Sequence, residues 1–174
     1  CVTARKRLVS RPTMLGYVLD EVFMDNHAPS GHPERPARAV AARDAILATG
    51  LVAIGRHVAV RAPSDAELMA VHDGQHIERL AKLVAGNDGW VDPDTYFSKG
   101  SWRAATLAVG ATCELASQAL SGEITRGLAV VRPPGHHATR DRAMGFCLLN
   151  NVAAAAAAAR AAGPSFGLTH QLRE

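Results

Sequence analysis

Gly127-Leu-Ala-Val-Val-Arg-Pro-Pro-Gly-His-His-Ala138 is the stretch on which the fold turns. It opens with an unbroken apolar run to Val131, the pattern of a parallel strand buried on both faces. Arg132-Pro133-Pro134-Gly135 cannot continue a ladder, because proline has no N–H to donate. The chain therefore leaves the sheet at the carboxyl end of a strand, where open α/β sheets place their ligands. His136 and His137 follow at once. The prolines stiffen the approach and Gly135 permits a sharp turn, so both imidazoles can be held at one reaction centre. An imidazole titrates near neutral pH; it can take a proton from water and return one to a leaving amine. A His-His pair alone is more often two exposed loop residues; the flanking sequence favours a site here.

Downstream, a glycine-punctuated stretch leads to Gly145-Phe-Cys-Leu-Leu-Asn-Asn151 and then to a helix from about Asn150 to Ala162, with Asn150 and Asn151 as its caps. The seven alanines at 153–159 make this a helix that must pack closely. Strand, loop and helix in this order argue for an α/β domain with a parallel sheet. Upstream, residues 15–24 read as a first strand. Pro33 and Pro36 suit the first turn of a helix that runs to Leu47 and stops near Gly50. Residues 51–61 read as a short strand. Ser64 and Glu67 have the spacing of a capping box and open a short helix. A second helix carries Ile77, Leu80, Leu83 and Val84 at helical spacing. Residues 91–100 read as a polar loop. Ser101 is expected to cap a long helix to about Leu120, burying Ala105, Ala108, Thr112, Leu115 and Ala119.

With 174 residues the chain is long enough for one domain with a real core, expected over residues 14–163. Aromatics are only 5%, so Ala, Val and Leu must do most of the packing. The net charge of +3 owes much to Arg5, Lys6, Arg7 and Arg11, which fit a disordered leader over residues 1–13 better than a nucleic-acid site. Three scattered cysteines without a CxxC fit a reducing cytoplasm. The apolar stretch 152–162 falls short of the roughly 20 residues of a membrane span. The Ala and Arg bias points to a GC-rich, bacterial source.

Four blocks in this order resemble the arginase/deacetylase superfamily, in particular histone deacetylase-like and acetylpolyamine amidohydrolases. They are Gly31-His-Pro-Glu-Arg-Pro36; Val71-His72 with Ile77 and Leu80; Val91-Asp-Pro-Asp-Thr-Tyr-Phe97 with Gly100-Ser-Trp102; and the span from Arg132 to Asn151. The resemblance implies a three-layer α/β fold around a parallel sheet, of which this chain holds the N-terminal portion. It implies zinc-dependent hydrolysis of an acetyl-lysine or acetylpolyamine amide. His136 and His137 match the tandem catalytic histidines, and Gly145 and Phe146 match the walls of the tunnel that grips the acylated amine. Asp94 matches a rim aspartate that binds substrate, with Asp92 close by as the alternative. The implied partner is an acetylated small amine or an acetyl-lysine peptide, with no nucleic acid and no membrane.

The resemblance stops before the metal. The family holds zinc through Asp-x-His in a strand after the Ala-rich helix, plus a later Asp. Here Pro164-Ser-Phe-Gly-Leu-Thr-His-Gln-Leu-Arg-Glu174 carries no such block. Residues 164–174 are thus expected to be a non-matching tail, the fold to be truncated with an apolar sheet edge exposed, and this polypeptide alone to be inactive. The alternative is a non-catalytic fragment that binds acyl-lysine or serves assembly. An arginase-like manganese ureohydrolase is disfavoured by the Arg132–Ala138 block. His72 and His76 have the spacing of two zinc ligands on a helix face, but Gly74 between them favours a structural role. His32 and Glu34 read as structural residues ordering a loop near the site, and Arg35 as a partner for a carboxylate.

Overall fold

The first strand is shorter than the apolar run that encodes it. β1 spans Leu15–Leu19, and the Asp20 carboxylate then accepts the Val22 N–H at 2.9 Å to cap a 3₁₀ turn, Glu21–Met24. Residues 15–24 are therefore a strand plus a turn, because an Asp acceptor offers the backbone a local bond in place of the ladder. The computed structural model describes residues 14–163; the expected leader and tail lie outside the described residues.

Helix α1, Pro36–Ala48, begins with Pro36 at its first position, where the missing N–H costs nothing. Residues 51–61 do not form the expected strand. They give a helical turn, α2 (Leu51–Ile54), and a two-residue strand, β2 (Arg56–His57), because a short apolar run alone does not distinguish the two states. Helix α3, Asp65–Met69, carries the expected capping box: Glu67 N donates to Ser64 Oγ at 3.2 Å and Ser64 N to Glu67 Oε2 at 2.7 Å. Asp73 caps α4, Gly74–Val84. The loop 91–100 instead takes part in a small antiparallel hairpin of β3 (Gly89–Trp90) and β4 (Tyr96–Phe97), whose strands are too short to show alternation.

The long helix α5 spans Ser101–Ser121, and its cap residue is Gly100, not Ser101. The Ser101 hydroxyl instead accepts the Ser98 N–H at 2.7 Å and donates to Asn26 Oδ1 at 2.5 Å, tying the start of α5 to the loop after β1. Ala108, Ala111 and Leu115 pack toward the sheet with Val18, Phe23 and Ile124. Ala105, Val109 and Cys113 meet Leu148, Leu149 and Ala154 in a second core. Thr112 and Ala119 are only half-buried. Helix α6, Asn151–Ala162, lies against α5, with alanines allowing close approach. Asn150 caps it by accepting the Ala153 N–H at 2.9 Å.

Strand β5, Arg126–Val130, pairs in parallel with the whole of β1, from Leu15 opposite Arg126 to Leu19 opposite Val130. The order β2-β1-β5 leaves β5 at the sheet edge among the described residues. Its residues are accordingly exposed or half-buried rather than buried on both faces. The site loop starts where β5 ends.

Candidate functional site

Arg132 leaves β5 pointing inward. Its guanidinium donates through Nε to Glu34 Oε1 at 2.6 Å and through Nη2 to Glu34 Oε2 at 2.7 Å, with further bonds to the carbonyls of Phe23 and Asn26. The pair is almost wholly buried, at 5% and 3% side-chain exposure, and Asn26 donates a third bond to Glu34. Glu34 is thus structural, as expected. The ion pair that orders this loop uses Arg132, whereas Arg35 forms none among the described residues. Sequence contains both partners in recognisable blocks, yet 98 positions separate them and nothing local links the two.

After Pro134, the chain turns at Gly135, where a Cβ would collide with Asn151. The His136 and His137 rings then stand 4.2 Å apart, centre to centre. The Cys147 thiol receives the N–H groups of both, at 3.4 and 3.5 Å, and donates to the Gly145 carbonyl at 3.3 Å. Gly145 has φ 59°, and a Cβ there would lie 2.8 Å from the His137 side chain. Glycine is required twice over, for conformation and for space. Phe146 follows with φ 66°, a strained state for a side-chain-bearing residue. Its N–H donates to the buried Thr95 hydroxyl at 3.0 Å, which in turn donates to Asp94 Oδ1 at 2.9 Å.

His136, His137, Gly145, Phe146, Asp92 and Asp94 line one cavity of about 510 Å³. Asp92 accepts the N–H groups of Asp94 and Thr95 at 3.1 and 2.8 Å, so Asp92 shapes the turn and Asp94 remains exposed at the rim. His32 lies edge-on to Phe146 at 5.0 Å and bridges to the Asp94 carbonyl at 3.1 Å through Nε2, the loop-ordering role expected of it. Partial burial, then the neighbouring His137, hold His136 below the usual imidazole pKa. An imidazole so tuned is neutral near pH 7 and free to accept a proton.

His72 and His76 do not join this cavity. Both are buried, their rings 5.7 Å apart, and burial lowers the pKa of each. Among the described residues no group of three or more His, Cys, Asp or Glu side chains could hold a metal ion. No carboxylate hydrogen-bonds either catalytic-candidate ring among those residues. The residues in hand thus do not fit a zinc centre by themselves. No helix of the described residues is long and apolar enough to cross a membrane.

The family model of the histone deacetylase domain matches residues 32–165. The chain belongs to the histone deacetylase family. It is 43% identical over 134 residues to "Histone deacetylase 15" of Arabidopsis thaliana, covering 76% of this chain and 24% of that protein. It is 39% identical over 134 residues to "Polyamine deacetylase HDAC10" of Homo sapiens, covering 73% of this chain and 20% of that protein. The crystal structure of the HDA15 HD domain superposes with a TM-score of 0.82 at 35% identity, covering 87% of this chain and 44% of that one. The fold is therefore the arginase/deacetylase fold. This histone deacetylase family chain spans about a quarter of the length of the first of these relatives and a fifth of the second. Plant and animal relatives match it alike, so the family likeness does not itself specify a bacterial source.

Proposed function

We propose that this chain supplies the proton-transfer and substrate-gripping side of a zinc-dependent amidohydrolase site that removes acetyl groups from lysine or polyamine amines. The observation that carries the reading is the single cavity shared by His136, His137, Gly145, Phe146 and Asp94. In it, one of the two imidazoles takes a proton from the attacking water and returns one to the departing amine. Phe146 and Gly145 flank the aliphatic stem of the acylated amine, and the Asp94 carboxylate accepts a hydrogen bond from substrate N–H groups at the rim. Asp94 is favoured over Asp92 because the Asp92 carboxylate is already bonded to two backbone N–H groups.

The zinc ligands are not among these residues, so the 174-residue polypeptide alone is expected to be inactive. After desalting it should retain less than one equivalent of zinc and should not turn over an acetyl-lysine peptide or an acetylated polyamine. Extended by a segment that supplies the metal ligands, it should hydrolyse such an amide, and His136→Ala should then slow turnover by about 10²–10⁴-fold. Stoichiometric zinc and turnover in the unextended chain would overturn the first expectation. Full activity in the extended His136→Ala variant would overturn the role of that imidazole. A reading as a non-catalytic acyl-lysine binder survives only if the extended chain binds the amide and never cleaves it.

A further inference from the structure

We propose that His72 and Asn150 are positioning residues that fix the peptide carrying His136 and His137; its catalytic meaning rests on the function proposed above. His72 is 1% exposed and does not line the cavity. Its Nε2 accepts the Asn150 N–H at 2.9 Å. A ring nitrogen that accepts carries no proton, so this bond selects the neutral ring with its hydrogen on Nδ1. Nδ1 is buried without a hydrogen-bond partner, while the next residue, Asp73, donates its N–H to the Arg140 carbonyl at 2.8 Å. His72 and Asp73 together therefore meet both ends of the loop that follows the tandem histidines.

Asn150 completes the link. Its Nδ2 donates to the Ala138 carbonyl at 2.8 Å, the peptide next to His137, while its Oδ1 caps α6 through the Ala153 N–H. On the other flank the Cys147 thiol receives the N–H groups of His136 and His137. The backbone from 136 to 138 is thus held from two directions. An apolar side chain at position 72 would fill the same space without leaving Nδ1 unpaired, which carries a desolvation penalty. What an apolar side chain cannot supply is the acceptor that sets Asn150, and through it Ala138. The i, i+4 spacing of His72 and His76 is that of a metal pair on a helix face; the geometry instead gives His72 to the loop.

The test uses imidazole ¹⁵N–¹H spectra of the 174-residue chain through a pH titration, beside thermal melts. His72→Leu removes the acceptor. His72→Gln replaces it with an amide oxygen. Asn150→Asp keeps the cap on α6 and removes the donor to Ala138. His72→Leu and Asn150→Asp are expected to displace the ring signals of His136 and His137 and to shift the His136 midpoint upward, whereas His72→Gln restores the wild-type signals. If the first two variants only lower the melting temperature and leave both ring signals and midpoints unchanged, the positioning role is refuted. None of these readouts requires turnover, so a failure of amide hydrolysis would count against the proposed function and leave the positioning role standing.

Discussion

Gly145 and Phe146 are consecutive residues in left-handed backbone, and only the first has no side chain. Phe146 holds that state because Thr95 receives its N–H and the His32 ring lies edge-on to it. Gly145 holds it because its missing Cβ leaves room for His137. Gly145→Ala should therefore strain the backbone and push His137 aside, at a cost of about 1–3 kcal/mol in denaturant unfolding. An unchanged unfolding midpoint would mean that His137 moves away freely and that the loop is not tightly set. At this scale the sequence was informative about residue type. Gly-His-His and Gly-Phe are legible as a site, while Thr95 and Cys147 are not, because a hydroxyl and a thiol that bond distant backbone leave no spacing pattern.

The elements meet through the buried pair of Arg132 and Glu34, which joins the end of β5 to the loop before α1. Removing one partner would leave the other charged and unpaired in the interior. Arg132→Ala is thus expected to cost about 3–5 kcal/mol in unfolding free energy. A loss below about 1 kcal/mol would indicate that water reaches Glu34 in solution, as at an exposed pair. Element types with strong local signals were legible: α1 from its prolines, α3 from its capping box, α6 from its alanines. Shorter ones were not. The turn after β1, the split of residues 51–61 and the β3–β4 hairpin depend on one or two hydrogen bonds that no periodicity announces.

Across the whole molecule, two buried imidazoles make stability depend on pH. Burial lowers the pKa of His72, and burial together with His72 and Arg79 lowers that of His76, against the opposing pull of Asp141 and Asp73. Below pH 6.5, the ordinary imidazole value, the unfolded chain binds protons that the native state refuses. Stability is therefore full above that pH and declines as pH falls through it. Glu67, which its hydrogen bond to Arg61 lowers from 4.5 to about 2, adds a loss of its own only at lower pH, where the unfolded carboxylate protonates and the native one does not. The melting temperature should fall between pH 7 and 5, and His76→Gln should flatten the slope; a flat wild-type curve would contradict the burial of both rings. The position of β5 at the sheet edge among the described residues is the second property of this scale. Its outer backbone, without a strand partner among the described residues and beside half-buried Leu128, Ala129 and Val130, invites pairing with another strand. In size-exclusion chromatography the chain should elute above its 18.3 kDa monomer mass, and a clean monomer would show that the edge is covered.

Periodicity and the order of its elements determined that this chain is an α/β domain with two histidines at the end of a parallel strand, and the resemblance of its blocks to a known family implied the deacetylase kind. Those properties are local or repeat along the chain, so they can be read without coordinates. Tertiary structure alone decided which carboxylate neutralises Arg132, which hydroxyl holds Phe146, and that His72 braces the loop after His137 rather than facing the cavity. Each of these is a bond between groups dozens of residues apart, formed only when the chain has folded and excluded the water that would otherwise satisfy them.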